Sequence, residues 1–157
     1  MGKEAFNTRK CLLSRGMDRD LKKRMIKSLV WSVALYGAET WTLGKESIQK
    51  LEAFEMWLWR RMEKISYVEH ISNEKVLERV GESRTLLSTI RRRQKNWMGH
   101  VLRGKGLVQD LIEGRMEGKR PRGRPRMGML DYLKGEGSYW DLKRRAEDRD
   151  GFRSWNP

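Results

Sequence analysis

The chain has 157 residues and a formal net charge of +14, from 35 Lys and Arg against 21 Asp and Glu. That length admits one domain or a small domain with an appendage, and seven Trp argue against simple disorder. A single cysteine, Cys11, excludes an intramolecular disulfide framework and a cysteine-rich zinc site, while the longest apolar-leaning run, Leu29 to Ala38, is half the ~20 residues of a membrane span.

In chain order, residues 3–15 predict a short helix. Asp18 is placed as the N-cap of a second helix running to about Tyr36. Its Leu21, Met25, Leu29, Val33 and Tyr36 recur every three or four residues, with Ile26 and Val30 widening the stripe, and Gly37 is a terminator. Thr42 is placed as the cap of a third helix, Lys45 to Ile65, with a core stripe of Ile48, Leu51, Phe54, Leu58, Met62 and Ile65. Trp57 and Trp59 flank that stripe; they read as core or inter-helix filling, with a base-stacking surface as the competing reading. Ser72 caps a short helix, Glu74 to Val80, closed by Gly81.

Residues 84–103 predict the next helix, apolar at Leu87, Ile90, Trp97, Met98, Val101 and Leu102, with Arg84, Arg91, Arg92 and Lys95 on other faces. A short helix over Leu107 to Ile112 follows. From Gly114 to Arg126 the hydrophobic period stops and Pro121 and Pro125 appear, the marks of an exposed linker or arm. One or two helical turns are expected over Met127 to Leu133. Ser138 with Asp141 three residues on has capping-box spacing, so Tyr139 to Asp148 is the expected last helix. With no strand pattern and no internal repeat, the expected fold is all-α: a small helical bundle (1–104), an extended basic linker or arm (105–126) and a short C-terminal helical extension (127–157).

The charge is concentrated. Residues 84–126 carry 13 basic and 3 acidic side chains, net +10, whereas residues 1–83 carry 16 and 12 and residues 127–157 carry 6 and 6. A solvated helix face mixes signs to gain local ion pairs, and this block does not, so it reads as a surface for a polyanion. Catalytic constellations are not apparent. His70 and His100 have no His or Cys partner at metal-ligand spacing; His100 reads as a partly buried structural histidine and His70 as exposed in a loop. Asp148 and Asp150 read as solvated ion-pair partners of nearby arginines, and Cys11 as an inert thiol. No catalytic, metal or cofactor site is expected.

The arm has its own pattern. Pro121-Arg122-Gly123-Arg124-Pro125, flanked by Lys119, Arg120 and Arg126, resembles the core of an AT-hook. A narrow minor groove concentrates negative potential and attracts arginine, glycine lets the backbone sit deep, and proline holds the flanks extended. The competing reading is a flexible basic tether or nuclear-import signal.

Ordered blocks then give a family resemblance. Leu29 to Trp41 (LVWSVALYGAETW) resembles a segment near the C-terminal end of reverse transcriptases of LINE-like (non-LTR) retrotransposons. Leu51 to Met62, Arg91 to Arg103, Arg122 to Arg126 and Ala146 to Arg149 resemble later blocks of that family, in the same order. The resemblance implies the thumb and C-terminal extension of an RNA-directed DNA polymerase, a helical region that contacts template and primer. The family's polymerase activity needs palm aspartates in an aromatic-x-Asp-Asp signature, and this chain has no adjacent Asp-Asp pair. The chain therefore reads as a fragment, with Met1 as an internal start. The expected function is non-catalytic binding of DNA or RNA, with Arg84, Arg91, Arg92, Arg93 and Lys95 on the helix and Lys119, Arg120, Arg122, Arg124 and Arg126 on the arm meeting phosphates. Two alternatives stand beside it: a thumb serving a palm supplied by the rest of a reverse transcriptase, or a relic whose apolar faces drive self-association. No membrane partner is expected, and the expected location is intracellular, in the nucleus.

Overall fold

The computed structural model describes residues 1–9, 16–114, 122–123, 128–135 and 137–155. The fold is all-α, with no strand among the described residues. Cys11 and the arm residues Lys119, Arg120, Pro121, Arg124, Pro125 and Arg126 lie outside the described residues, as does the stretch 10–15 of the first expected helix.

The helices are α1 (Gly2–Arg9), α2 (Arg19–Met25), α3 (Trp31–Ala34), α4 (Lys45–Met62) and α5 (Asn73–Val80), then α6 (Leu86–Arg103), α7 (Leu107–Ile112), α8 (Met129–Lys134), α9 (Tyr139–Glu147) and α10 (Arg149–Ser154). Most boundaries follow local chemistry. The Asp18 carboxylate accepts from Asp20 N and Leu21 N and starts α2. Ser72 Oγ accepts from Lys75 N, and Gly81 closes α5 at φ 65°. Ser138 and Asp141 form the expected capping box at the start of α9.

The second expected helix departs from its simple period. A π-turn over Ile26–Val30 separates α2 from α3. Its wider turn rotates the following residues relative to a continuous 3.6-residue repeat. After it Trp31 and Leu35 are buried along with Ile26 and Val30, and Tyr36, expected in the core, is 85% exposed; Leu21, also expected in the core, precedes the turn and is 48% exposed.

The chain forms two compact units, and their boundary falls within α6. One unit comprises residues 1–38 and 45–90; the other comprises 39–44 and 91–157. The expected division after residue 104 is thus displaced into the helix. In the N-terminal unit, Phe6, Ile26, Leu35, Leu58, Trp59, Val76 and Val80 are at most 1% exposed. Trp59 fills the core, its ring 6.4 Å from that of Trp31. The C-terminal unit has its own core of Met98, Leu102, Leu133, Leu142, Ala146 and Phe152. Its last helix, α10, follows directly after α9, where the sequence pattern predicts an end. Asp148 makes that possible: its carboxylate accepts from Gly151 N at 3.0 Å, acting as a cap.

Two buried contacts organise these units. Glu55 of α4 is 1% exposed. Its Oε1 accepts from Thr85 N at 2.9 Å and Leu86 N at 3.0 Å, at the start of α6. A carboxylate there satisfies donors that the first helical turn leaves unpaired and meets the positive end of the helix dipole. Burial nevertheless dominates and pushes its pKa above the ordinary 4.5, opposed by those amides and by Arg84 and Lys27. In the other unit Gly99 lets α6 approach Phe152: a β-carbon at Gly99 would lie 2.5 Å from Phe152 Cε1.

Each contact has a measurable consequence. Gly99→Ala should lower stability by about 1–3 kcal/mol in denaturant titration, because overpacking a stiff buried ring outweighs the better helix propensity of alanine. Glu55→Ala should cost about 2–4 kcal/mol by stranding two amides. The pH dependence of Glu55 has a fixed sign. A carboxyl with a raised folded pKa holds its proton more tightly when folded, so its contribution falls as pH rises through 4.5 towards the raised value. Glu55→Gln, which keeps an acceptor without the charge, should compare more favourably with the parent at pH 7 than at pH 4.

Candidate nucleic-acid interface

The basic residues of α6 do not share one face. Arg92, Asn96, His100 and Arg103 are all exposed. Their spacing of four, four and three places them within an arc of about 80° on a regular helix. His100, expected to be partly buried, thus stands in solvent. Two further cations join this arc from α10. Arg149 and Arg153 line an open recess of about 380 Å³ with Asn96, His100, Arg103 and the edge of buried Phe152. No carboxylate lines it. Among the described residues, the side chains of Arg92, Arg149 and Arg153 have no hydrogen-bond or ion-pair partner. Arg103 donates one bond, from Nη1 to Ala146 O at 2.8 Å. The remaining donors of a guanidinium stay available to a phosphate.

The other helix residues expected at phosphates divide differently. Lys95 is a correction. It is only 7% exposed, and its Nζ donates to Arg153 O at 3.0 Å and to Trp155 O. The ammonium thus serves the carbonyls at the end of α10, where a cation is favoured. Desolvation lowers its pKa from the ordinary 10.5. Arg91 is half-buried, its guanidinium 4.6 Å from the ring centre of Tyr132; this cation–π contact orients it towards the core of its own unit. Arg93 has Nη1 3.9 Å from Glu39 Oε1, at the edge of the exposed arc. Arg84 precedes α6 in the other unit, exposed and 3.9 Å from Glu52 Oε2. Of the arm, Arg122 is described and exposed.

Asn96, His100, Arg103, Arg149 and Arg153 were not among the expected contact residues. The first three carry a sequence signal: with Arg92 they form a polar stripe at helical spacing, which a charge count overlooks. Nothing local in the sequence pairs Arg149 and Arg153 with them. That juxtaposition needs the Gly99–Phe152 approach.

Among the described residues, no three His, Cys, Asp or Glu side chains come together to hold a metal ion. No helix there is long and apolar enough to cross a membrane. No protein family, curated protein or solved structure matches the chain.

Lys95 and Arg92 should therefore separate in experiment. Lys95→Ala should lower stability by about 1.5–3 kcal/mol, the worth of hydrogen bonds from a charged group, in a urea melt. Arg92→Ala, on an exposed surface, should stay within about 0.5 kcal/mol of the parent.

Proposed function

We propose that this chain is a non-catalytic nucleic-acid-binding segment that grips backbone phosphates through the exposed arc of α6 and the neighbouring arginines of α10. The observation that carries this reading is the carboxylate-free recess between Asn96, His100 and Arg103 on one side and Arg149 and Arg153 on the other. A free guanidinium matches phosphate geometry with two parallel donors, and several of them give affinity with little sequence choice. The charge excess of +14 draws a polyanion to the whole molecule, and the recess offers it a place to dock. Arg122 and the rest of the basic arm extend the contact along the strand in this reading.

The proposed origin is the thumb and C-terminal extension of a LINE-like reverse transcriptase. What supports it is the order of the resembling sequence blocks. The Leu51 to Met62 block falls in α4, the Arg91 to Arg103 block in α6, and the Ala146 to Arg149 block at the α9–α10 junction that carries Arg149. In this reading the polymerising aspartates belong to a palm outside this chain.

The test is anisotropy of a labelled 20-base-pair duplex against salt. Binding should be measurable at low salt and weaken steeply as salt rises. Changing Arg92, Arg149 and Arg153 together to Gln should flatten the slope of log affinity against log salt by about three, near 0.9 for each phosphate no longer neutralised. No binding at low salt would sink the proposal, and a slope unchanged by the triple substitution would remove the recess from it.

A further inference from the structure

A second recess, of about 530 Å³, lies in the N-terminal unit and has a different chemistry. Trp57, Arg61, Ile65, Tyr67 and His70 line it. Its rim is the loop between α4 and α5, and that loop is built to hold its shape. Ile65 N donates to Arg60 O at 3.0 Å as α4 ends, with Lys64 in the left-handed region at φ 58°. Ser66 N donates to Glu69 Oε1 at 2.6 Å, and Ser66 Oγ accepts from Val68 N, which together close a capping box around a single 3₁₀ turn, Tyr67–Glu69. His70 then turns the chain at φ 46°. Arg60 ties down the far side, its Nη2 donating to Ile71 O at 2.6 Å and to Asn73 Oδ1 at 2.9 Å.

What this loop presents is an aromatic surface. Tyr67 is 90% exposed. Its ring centre lies 5.9 Å from that of His70. The ring stands on a backbone that the capping box fixes, between left-handed residues at Lys64 and His70. Trp57, half-buried, is a fixed wall of the recess: Phe6 meets its ring edge-on at 5.3 Å, Phe54 stacks on it at 6.3 Å, and Lys3 Nζ lies 5.4 Å from its ring centre. Arg61 is exposed beside it, without a hydrogen-bond or ion-pair partner among the described residues. No carboxylate lines the recess.

We propose that this recess binds an unpaired nucleic-acid strand, with Tyr67 and His70 offering ring surfaces to bases, Trp57 forming the wall behind them and Arg61 meeting the backbone. Exposed rings beside an unpaired guanidinium suit stacked bases and a neighbouring phosphate, and stacking of this kind needs bases that are not already paired. A protein partner would leave Arg61 to find an acid, whereas a strand supplies a phosphate at every nucleotide. The inference rests on the reading of the chain as a nucleic-acid binder, but its residues are different ones.

The test compares a 20-nucleotide oligothymidylate with a duplex of equal length, both by anisotropy at one salt concentration. Tyr67→Ala should weaken binding of the single strand about tenfold or more and leave duplex affinity within about twofold. Tyr67→Phe, which keeps the ring, should retain parental affinity for the strand. Because Tyr67 is exposed, the melting curve should not move. If the duplex is bound and strand affinity is unchanged by Tyr67→Ala, the recess proposal fails alone. Equal loss for strand and duplex also overturns it. If the strand is bound and weakened by Tyr67→Ala while the duplex is not bound, the recess stands and the α6–α10 site falls. Binding of neither ends both. Loss of self-association in sizing, with strand affinity unchanged, reassigns the surface to protein contact and overturns the proposal.

Discussion

The burial of α6 constrains everything else in this protein. Leu86 and Ile90 at its start belong to one core, and Met98 and Leu102 near its end belong to another. Gln94, Lys95 and Gly99 are buried as well. A helix used this fully has little free circumference, so its charge acts outward along the arc of Arg92, Asn96, His100 and Arg103, with Arg93 at its edge. The same demand explains Glu55. Anchoring the first turn of α6 inside the protein leaves its amides without water, and a carboxylate from a neighbouring helix takes its place.

The sequence therefore overstates the charge that α6 can give to a partner. Arg91, Arg92, Arg93 and Lys95 are equivalent in a charge count. Among the described residues they are a ring-stacked cation, an exposed cation without a partner, a cation near a carboxylate and a buried helix-end donor. A lysine stem crosses apolar surface readily, so a Lys inside a basic run need not belong to the outer face. Helix phase, not membership of a basic block, sets the role of each side chain.

Legibility follows the range of the interactions. Caps are made within three residues, so Asp18, Ser72, Gly81 and Ser138 could be placed from the sequence and start or end helices as expected. The π-turn at Ile26–Val30 could not, because the spacing of Leu21, Met25 and Leu29 fits an unbroken α-helix just as well; only the packing of Ile26 and Trp31 decides between the two. The role of Lys95 depends on carbonyls 58 and 60 residues away, and that of Glu55 on amides 30 and 31 residues away. The α10 half of the recess was invisible for a related reason: Asp148-Arg149-Asp150-Gly151 reads as a solvated, helix-ending run until Asp148 is seen to cap the next helix.

Adjacent residues of like charge repeat this division in the N-terminal unit. Arg60 is turned inward and its guanidinium holds the loop after α4, while Arg61, one position on and rotated by about 100°, faces solvent. The left-handed conformations of Lys64 and His70 cost of order 1–3 kcal/mol apiece, and they persist only if surrounding bonds over-determine them. Arg60 and the Ser66–Glu69 box supply those bonds, and they make no use of Tyr67's side chain, which is left outside. Lys64 ends α4 in the common left-handed manner, with Lys64 N donating to Arg61 O and Ile65 N to Arg60 O, whereas the turn at His70 follows the box that carries the exposed Tyr67 ring.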